Sequence, residues 1–233
     1  MSGLAAPADS LPPPLPRVVY EDRRVVVIDK PAGWLSVPSR LGEDDERPCA
    51  GRRLEAQLGV RLWPVHRLDL EVSGLLAFAK DAEAHRLLSQ AFEDRTVHKT
   101  YIGRSEGRPP EDAPLGREVL WESTLLRGKK RAYVHPAGKP AQTLVTLLAV
   151  EPTGGDGGAG GSVLRWRLRP LTGRAHQLRV ELARRGCPLC GDTLYGARAA
   201  LPGGGIALRA VALALGPVAA RLGLPQELRT PEA

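Results

Sequence analysis

Apolar and polar positions recur along this chain in patterns that assign most of its elements. In residues 18–30 (VVYEDRRVVVIDK) two apolar runs flank Glu21-Asp22-Arg23-Arg24, which predicts two short strands joined by a polar turn. Pro31 and Gly33 end the second strand. Residues 38–53 are polar and broken by Pro38, Gly42, Pro48 and Gly51, the pattern of a mobile surface loop, with a short helix at 54–58. Residues 75–80 (LLAFAK) are apolar enough for a buried strand. Asp81 follows, a residue whose carboxylate can accept from the free N–H groups of a first helical turn. Ala84, Leu87, Leu88, Ala91 and Phe92 fall at i, i+3, i+4, i+7 and i+8, which predicts an amphipathic helix from about 82 to 94. Residues 99–103 resume extended structure, and 105–117 are a Pro/Gly loop. Residues 141–151 and 162–171 are β-rich and flank the glycine-rich 153–161, a long flexible connection. Residues 174–185 put Ala175, Leu178 and Leu182 on one helical face, with Gly186 and Pro188 as the stop. Residues 206–215 form a last strand. Residues 1–16, proline-rich and without period, and residues 225–233 are tails. No repeat or compositional break divides 17–224, which predicts one domain. Many strands, joined mostly by hairpins, with few helices predict an α+β fold on a largely antiparallel sheet.

Composition narrows the class. The chain has 233 residues, 42% hydrophobic and 25% charged, which excludes a wholly disordered or fibrous protein. No stretch approaches the roughly 20 apolar residues of a membrane span; the nearest, 206–215, is short and carries Arg209. No secretory signal heads the sequence. Three cysteines, an odd number, argue for a reducing compartment, hence a cytoplasmic protein. The net charge of +7 suits a polyanionic partner. Arg-rich coding raises it equally well, so charge alone does not decide for nucleic acid.

Three polar clusters adjoin apolar runs: residues 29–33 (DKPAG), 66–69 (HRLD) with Ser73-Gly74, and 172–179 (TGRAHQLR). Charges leading straight into buried strands are costly unless paired or used. Arg67 and Asp69 lie two apart, so extended backbone points both to one side. Arg179 follows the apolar Leu178 and can reach a carboxylate over the core edge. Taken singly, each cluster reads as a structural ion pair. Cys187-Pro-Leu-Cys190 is a lone CxxC; zinc needs four ligands, so two small buried residues fit better and no metal is expected. His66 and His176 have no Gly-x-Ser-x-Gly nucleophile beside them, which makes them hydrogen-bonding supports rather than a hydrolase pair. His85 and His98 read as surface residues, Lys129-Lys130-Arg131 as a solvated turn, and Trp34, Trp63, Trp121 and Trp166 as core.

Together the clusters are more specific. Residues 66–80 (HRLDLEVSGLLAFAK) resemble the signature of the RluA-like pseudouridine synthases. Residues 29–38 (DKPAGWLSVP), KTY at 99–101, 171–196 (LTGRAHQLRVELARRGCPLCGDTLYG) and 206–210 (IALRA) are similar to that family's other segments, in the same order. The resemblance implies the pseudouridine synthase fold, with a central cleft. It also implies cofactor-independent isomerisation of uridine to pseudouridine in ribosomal or transfer RNA. Asp69 matches the catalytic aspartate, Arg179 the arginine that pairs with it, and Tyr101 the family's catalytic tyrosine, whose ring can stack on the uracil and whose phenol can move a proton. A cation within about 4–6 Å lowers a carboxylate's pKa by roughly 1–3 pH units. The base must leave its stack to react. Arg67, beside the nucleophile, is implied to hold the flipped state. Leu208 resembles the pocket's apolar wall, and His66 belongs with the substrate-binding group. Lys30, Arg174 and Arg209 are candidate phosphate contacts. Tyr195 and Gly191-Asp192 match a block taken as structural. Val72, Ala175, Glu181 and Arg209 depart from the usual family residues; the last two bear on substrate contacts. No S4 RNA-binding domain precedes the first motif, and a monomer is expected. A catalytically silent RNA-binding module is the alternative, and a carboxylate-dependent hydrolase a weaker one.

Overall fold

The computed structural model describes residues 15–152 and 162–230. The expected flexible connection at 153–161, and residues 1–14 of the N-terminal tail, lie outside the described residues.

Strands β1 (Arg17–Glu21) and β2 (Val25–Lys30) form the first hairpin. At its turn, the Asp22 carboxylate accepts from the Arg24 and Val25 N–H groups, each at 2.7 Å. β2 is buried on both faces: Val26 and Ile28 join one core cluster, Val25 and Val27 the other. Helix α1 (Ala50–Leu58) precedes β3 (Trp63–Pro64) and β4 (Ser73–Ala79). β4 also faces both ways, with Leu76 and Phe78 opposite Leu75, Ala77 and Ala79. This two-sided burial explains its continuous apolar run. Helix α2 (Ala82–Glu93) covers the second face with Ala84, Leu87, Leu88 and Ala91, and Asp81 caps it by accepting from the Ala84 N–H at 2.8 Å.

β5 (His98–Glu106), β6 (Glu118–Arg127), β7 (Ala132–Val134), β8 (Lys139–Pro152) and β9 (Ser162–Pro170) follow. Then come α3 (Gln177–Ala183), β10 (Leu208–Ala214), α4 (Pro217–Leu222) and β11 (Glu227–Arg229). The strands make one sheet in the order β1-β2-β4-β10-β5-β9-β8-β6-β7, with β3 on β4 and β11 on β10. Its pairings are antiparallel except β4–β10, which run parallel over Arg209↔Ser73 and Ala210↔Gly74. One edge of β10 is therefore shared: β4 takes its start, and β11 pairs with Ala212–Ala214 at its end. The α+β architecture with a largely antiparallel sheet is as the pattern predicts.

Several elements differ from expectation. α1 begins at Ala50, inside the segment read as loop, because Ala50 and Gly51 pack inward and Gly51 lets the helix approach the Phe78 ring. α3 is shorter than 174–185, because His176 sits in the left-handed region at φ 52° and stops the helix from starting earlier. Residues 225–233 are not simply a tail: Glu227–Arg229 pair with β10, and Leu228 and Thr230 are buried. Trp34, Trp121 and Trp166 are core residues, while Trp63 is only partly buried. Among the described residues no helix is long and apolar enough to cross a membrane.

Candidate active site

Asp69 sits on the connection between β3 and β4, and residues 30–36 pin that connection from below. Ser36 Oγ donates to the Leu68 carbonyl at 2.9 Å and accepts from the Leu68 N–H at 3.0 Å. The Gly33 N–H donates to the Leu70 carbonyl at 2.8 Å. Lys30 is fully buried, and its Nζ donates to the Pro31, Trp34 and Leu70 carbonyls at 2.9, 2.9 and 3.3 Å. Burial pushes the Lys30 ammonium down to about 8, against the pull of Asp69 and Glu71. Its three donors are spent on the backbone, so the expected phosphate contact is corrected: Lys30 is a strut under the Asp69 loop.

From that loop the chain enters β4 at Ser73-Gly74. Gly74 has φ +111°, and a Cβ there would lie 2.2 Å from the Ala210 carbonyl oxygen. Glycine alone lets β4 touch β10 at this point. The contact puts Gly74, Ala210, Tyr101 and Leu168 in one row across β4, β10, β5 and β9. Tyr101, Leu208, Leu178, Val72 and Asp69 thereby line one cavity of about 670 Å³. The Asp69 side chain is 37% exposed. Burial, and then the charge of Asp69, raise the Tyr101 phenol well above its usual value of 10, so it stays protonated at neutral pH. Arg67, exposed, and Arg174, partly buried, line the same cavity, and Arg174 Nε donates to the Pro140 carbonyl at 2.8 Å. Gln177 shapes the preceding turn: its Oε1 accepts from the Arg174 N–H and the Thr172 hydroxyl.

Arg179 is buried at the cavity wall, but Asp69 is not its main partner. Nε and Nη2 hold Asp192 in a two-point pair at 2.7 and 2.8 Å, and Nη1 reaches Glu71 at 3.0 Å. Asp69 stands 3.9 Å from Nη1, within Coulombic reach and beyond a hydrogen bond. Burial opposes the guanidinium's charge, while the hydrogen bonds of Asp192 and the charges of Asp192, Glu71 and Asp69 outweigh it. The block read as structural at 191–192 thus anchors the site's central cation.

His176, read as a support, lies on the cavity wall. Tyr195 Oη donates to the Ala132 carbonyl at 3.1 Å and accepts from its N–H at 2.9 Å. With that hydrogen spent, His176 Nδ1, 2.9 Å away, is the donor to Tyr195. Nε2 is then left to accept from Arg127 Nη1 at 3.2 Å. A neutral imidazole suits this arrangement, and burial drives its pKa down, partly against Asp69. Sequence reasoning passed over Arg40, Lys99 and Arg127, which also line the cavity. Arg127 could have been noticed as the cation that opens the basic turn 129–131.

Two other expected substrate contacts stand off the cavity wall. His66 accepts from the Ala77 N–H at 3.1 Å and stacks on Phe92 with ring centroids 4.6 Å apart. Burial, with Lys99 nearby, pushes it down to about 3, so it is a neutral support. Arg209 of β10 pairs with Asp29 of β2 at 2.5 Å, spanning β4, which lies between those strands in the sheet. Glu181 is likewise turned into the fold, held by Arg185 at 2.6 Å and by Ser123. Cys187 is a buried thiol that donates to the Arg108 carbonyl, and burial raises it to about 11. Among the described residues no group of three or more His, Cys, Asp or Glu side chains could hold a metal.

The family model described as RNA pseudouridylate synthase matches residues 24–184, which span every cavity residue named above except Leu208. The chain belongs to the RNA pseudouridylate synthase family. It is 35% identical over 190 residues to the dual-specificity RNA pseudouridine synthase RluA of Vibrio vulnificus (strain CMCP6), covering 79% of this chain and 72% of that protein. To the RluA of Escherichia coli (strain K12) it is 33% identical over 179 residues, 76% of each chain. The solved human RNA Pseudouridylate Synthase Domain Containing 1 superposes with a TM-score of 0.70 at 25% identity, covering 93% of this chain and 83% of that one. Membership makes the chain an RNA pseudouridine synthase, an isomerase that needs room for one nucleotide and a group to act on it.

Proposed function

We propose that this synthase isomerises a particular uridine of structured ribosomal or transfer RNA, with Asp69 acting on a nucleotide extruded into the cavity. The observation that carries this is the position of Asp69: its carboxylate opens into a nucleotide-sized cavity walled by Tyr101 and Leu208, with the Arg179 guanidinium 3.9 Å away. In the reaction the N1–C1′ bond breaks, the uracil turns, C5 bonds to C1′, and the C5 proton is exchanged for one on N1. The product is an isomer of the substrate, so neither oxidant nor cofactor enters the balance. Asp69 must be ionised, whether it attacks the nucleoside or abstracts a sugar proton, and the Arg179 guanidinium stands 3.9 Å from its carboxylate. Tyr101 offers a ring face to hold the free uracil between the two bonds. Arg40, Arg67, Arg127 and Arg174 around the cavity suit the phosphates of an RNA chain. Extruding the base costs a few kcal/mol, which these contacts offset.

The test is Asp69→Asn, which keeps the shape and removes the charge. Pseudouridine is read as a mass-silent, carbodiimide-reactive base in RNA from cells that lack the protein. Turnover should be lost while RNA affinity stays within about twofold. Conversion by the Asn variant would overturn the role of Asp69, and binding without conversion by the unaltered chain would leave an RNA-binding module.

A further inference from the structure

Beside the cavity lies a second hollow of about 320 Å³, and the two share a wall made by Lys99, Pro170, Thr172, Gly173 and Arg174. The far side of the hollow carries Arg95 and His98, with Glu93 also on its lining. The dividing ridge is low. Gly173 is exposed, and a Cβ built on it would meet nothing closer than Lys99 Nζ, at 4.0 Å. Beneath this saddle, Lys99 differs from the other buried lysine. Lys30 spends its ammonium on three carbonyls. Lys99 Nζ has no hydrogen-bond or ion-pair partner among the described residues, and burial lowers its pKa with no carboxylate opposing the shift. The neighbouring imidazole of His66 is neutral and offers no counter-charge. A partly buried ammonium with unspent donors, opening on two hollows at once, is costly in the free protein and calls for an anion with several acceptor oxygens.

We infer that Lys99 and the saddle at Gly173 form a phosphodiester subsite, which takes the phosphate next to the extruded uridine and leads the RNA strand from the cavity into the second hollow. The inference rests on the proposed function, since it needs a nucleotide in the cavity. It assigns the path of the flanking strand, and it gives a function to a lysine whose ammonium no protein group holds among the described residues.

Two variants test it, with bulk transfer RNA as the binding probe. Lys99→Met keeps the length of the side chain and removes its charge. Gly173→Leu raises the saddle where the backbone has room and φ is not positive. Affinity is measured between about 50 and 200 mM salt. Lys99→Met should bind several-fold more weakly at low salt and flatten the slope of log affinity against log salt by about 0.7–0.9, one phosphate contact. Its melting temperature should hold or rise, because an unpaired ammonium has left a partly buried place. Gly173→Leu should weaken binding comparably without lowering the melting temperature. A fall in Lys99→Met stability with an unchanged salt slope would make Lys99 structural and overturn the subsite, as would full affinity in both variants. Failure of the unaltered protein to form pseudouridine in cellular RNA is a separate outcome and counts against the proposed function.

Discussion

Arg179 carries one positive charge among three carboxylates, and the geometry ranks them. Asp192, 1% exposed, takes the two-point bond, Glu71 takes a single bond, and Asp69 is left at 3.9 Å with its oxygens unbound by the guanidinium. This ordering suits the role proposed for Asp69, because a reacting oxygen tied in a hydrogen-bonded pair would have to break it first. Replacing Asp192 by Asn should therefore do more than loosen a turn. Breaking a buried pair costs about 3–5 kcal/mol, and the released guanidinium should swing toward Glu71 and Asp69. We expect urea unfolding to show a loss of that order and turnover to fall with it. A stability change below about 1 kcal/mol would mean that Asp192 is not the anchor. At this scale the sequence is legible where a motif concentrates charge: Asp69 and Arg179 do meet at one cavity, although Asp192 and not Asp69 is the main partner of the guanidinium. It misleads where a charge turns inward: Lys30 and Arg209 look like surface cations, yet one is spent on backbone carbonyls and the other on Asp29. Periodicity carries no sign of which way a terminal residue of a strand bends.

The elements were legible in proportion to how they are buried. β2 and β4 show in the sequence as unbroken apolar runs, because both of their faces are buried, and α2 shows a helical period, because one of its faces is. β6, β7, α4 and β11 escape because they are short, or lie near an edge of the sheet and alternate weakly. The helix at 177–183 is shortened by one left-handed residue, which no propensity of histidine foretells. The contact between β4 and β10 is the most exacting junction, since a Cβ at Gly74 would stand 2.2 Å from the Ala210 carbonyl oxygen. Gly74→Ala should therefore separate the strands that set Asp69 and Tyr101 in one cavity, giving an insoluble or inactive protein. Gly33, at φ +79° with nothing within 4 Å of its would-be Cβ, is the control. Gly33→Ala should cost about 1–2 kcal/mol of backbone strain and leave a folded chain. Circular dichroism and turnover of the two variants check the contrast, and equal behaviour would contradict the packing at Gly74.

For the molecule as a whole, acid is the informative stress. Burial depresses His66 to about 3 in the folded chain, against 6.5 in the unfolded one. Below pH 6.5 the unfolded state therefore binds the proton that the folded state refuses, and stability falls as pH drops toward 3. The steepest slope from this group is about 1.4 kcal/mol per pH unit. His176, also depressed, adds in the same direction. Midpoints of urea unfolding at pH 7, 6 and 5 should decline, and His66→Gln, which does not titrate, should flatten the decline. A flat profile in the unaltered protein would show that His66 is open to solvent. At this scale the α+β class follows from counting strands and hairpins. The strand order does not, because partners far apart in the chain leave no local trace.

β10 lies between β4 and β5, although both are encoded more than a hundred residues earlier. A ribosome therefore releases two half-sheets, each with a raw edge, well before the strand that joins them leaves the exit tunnel. Until then the nascent chain has no finished pocket and two adhesive borders, and its assembly waits on long-range pairing of the slow kind. An enzyme so arranged is completed late, with its last strands closing the cavity that Asp69 and Tyr101 line.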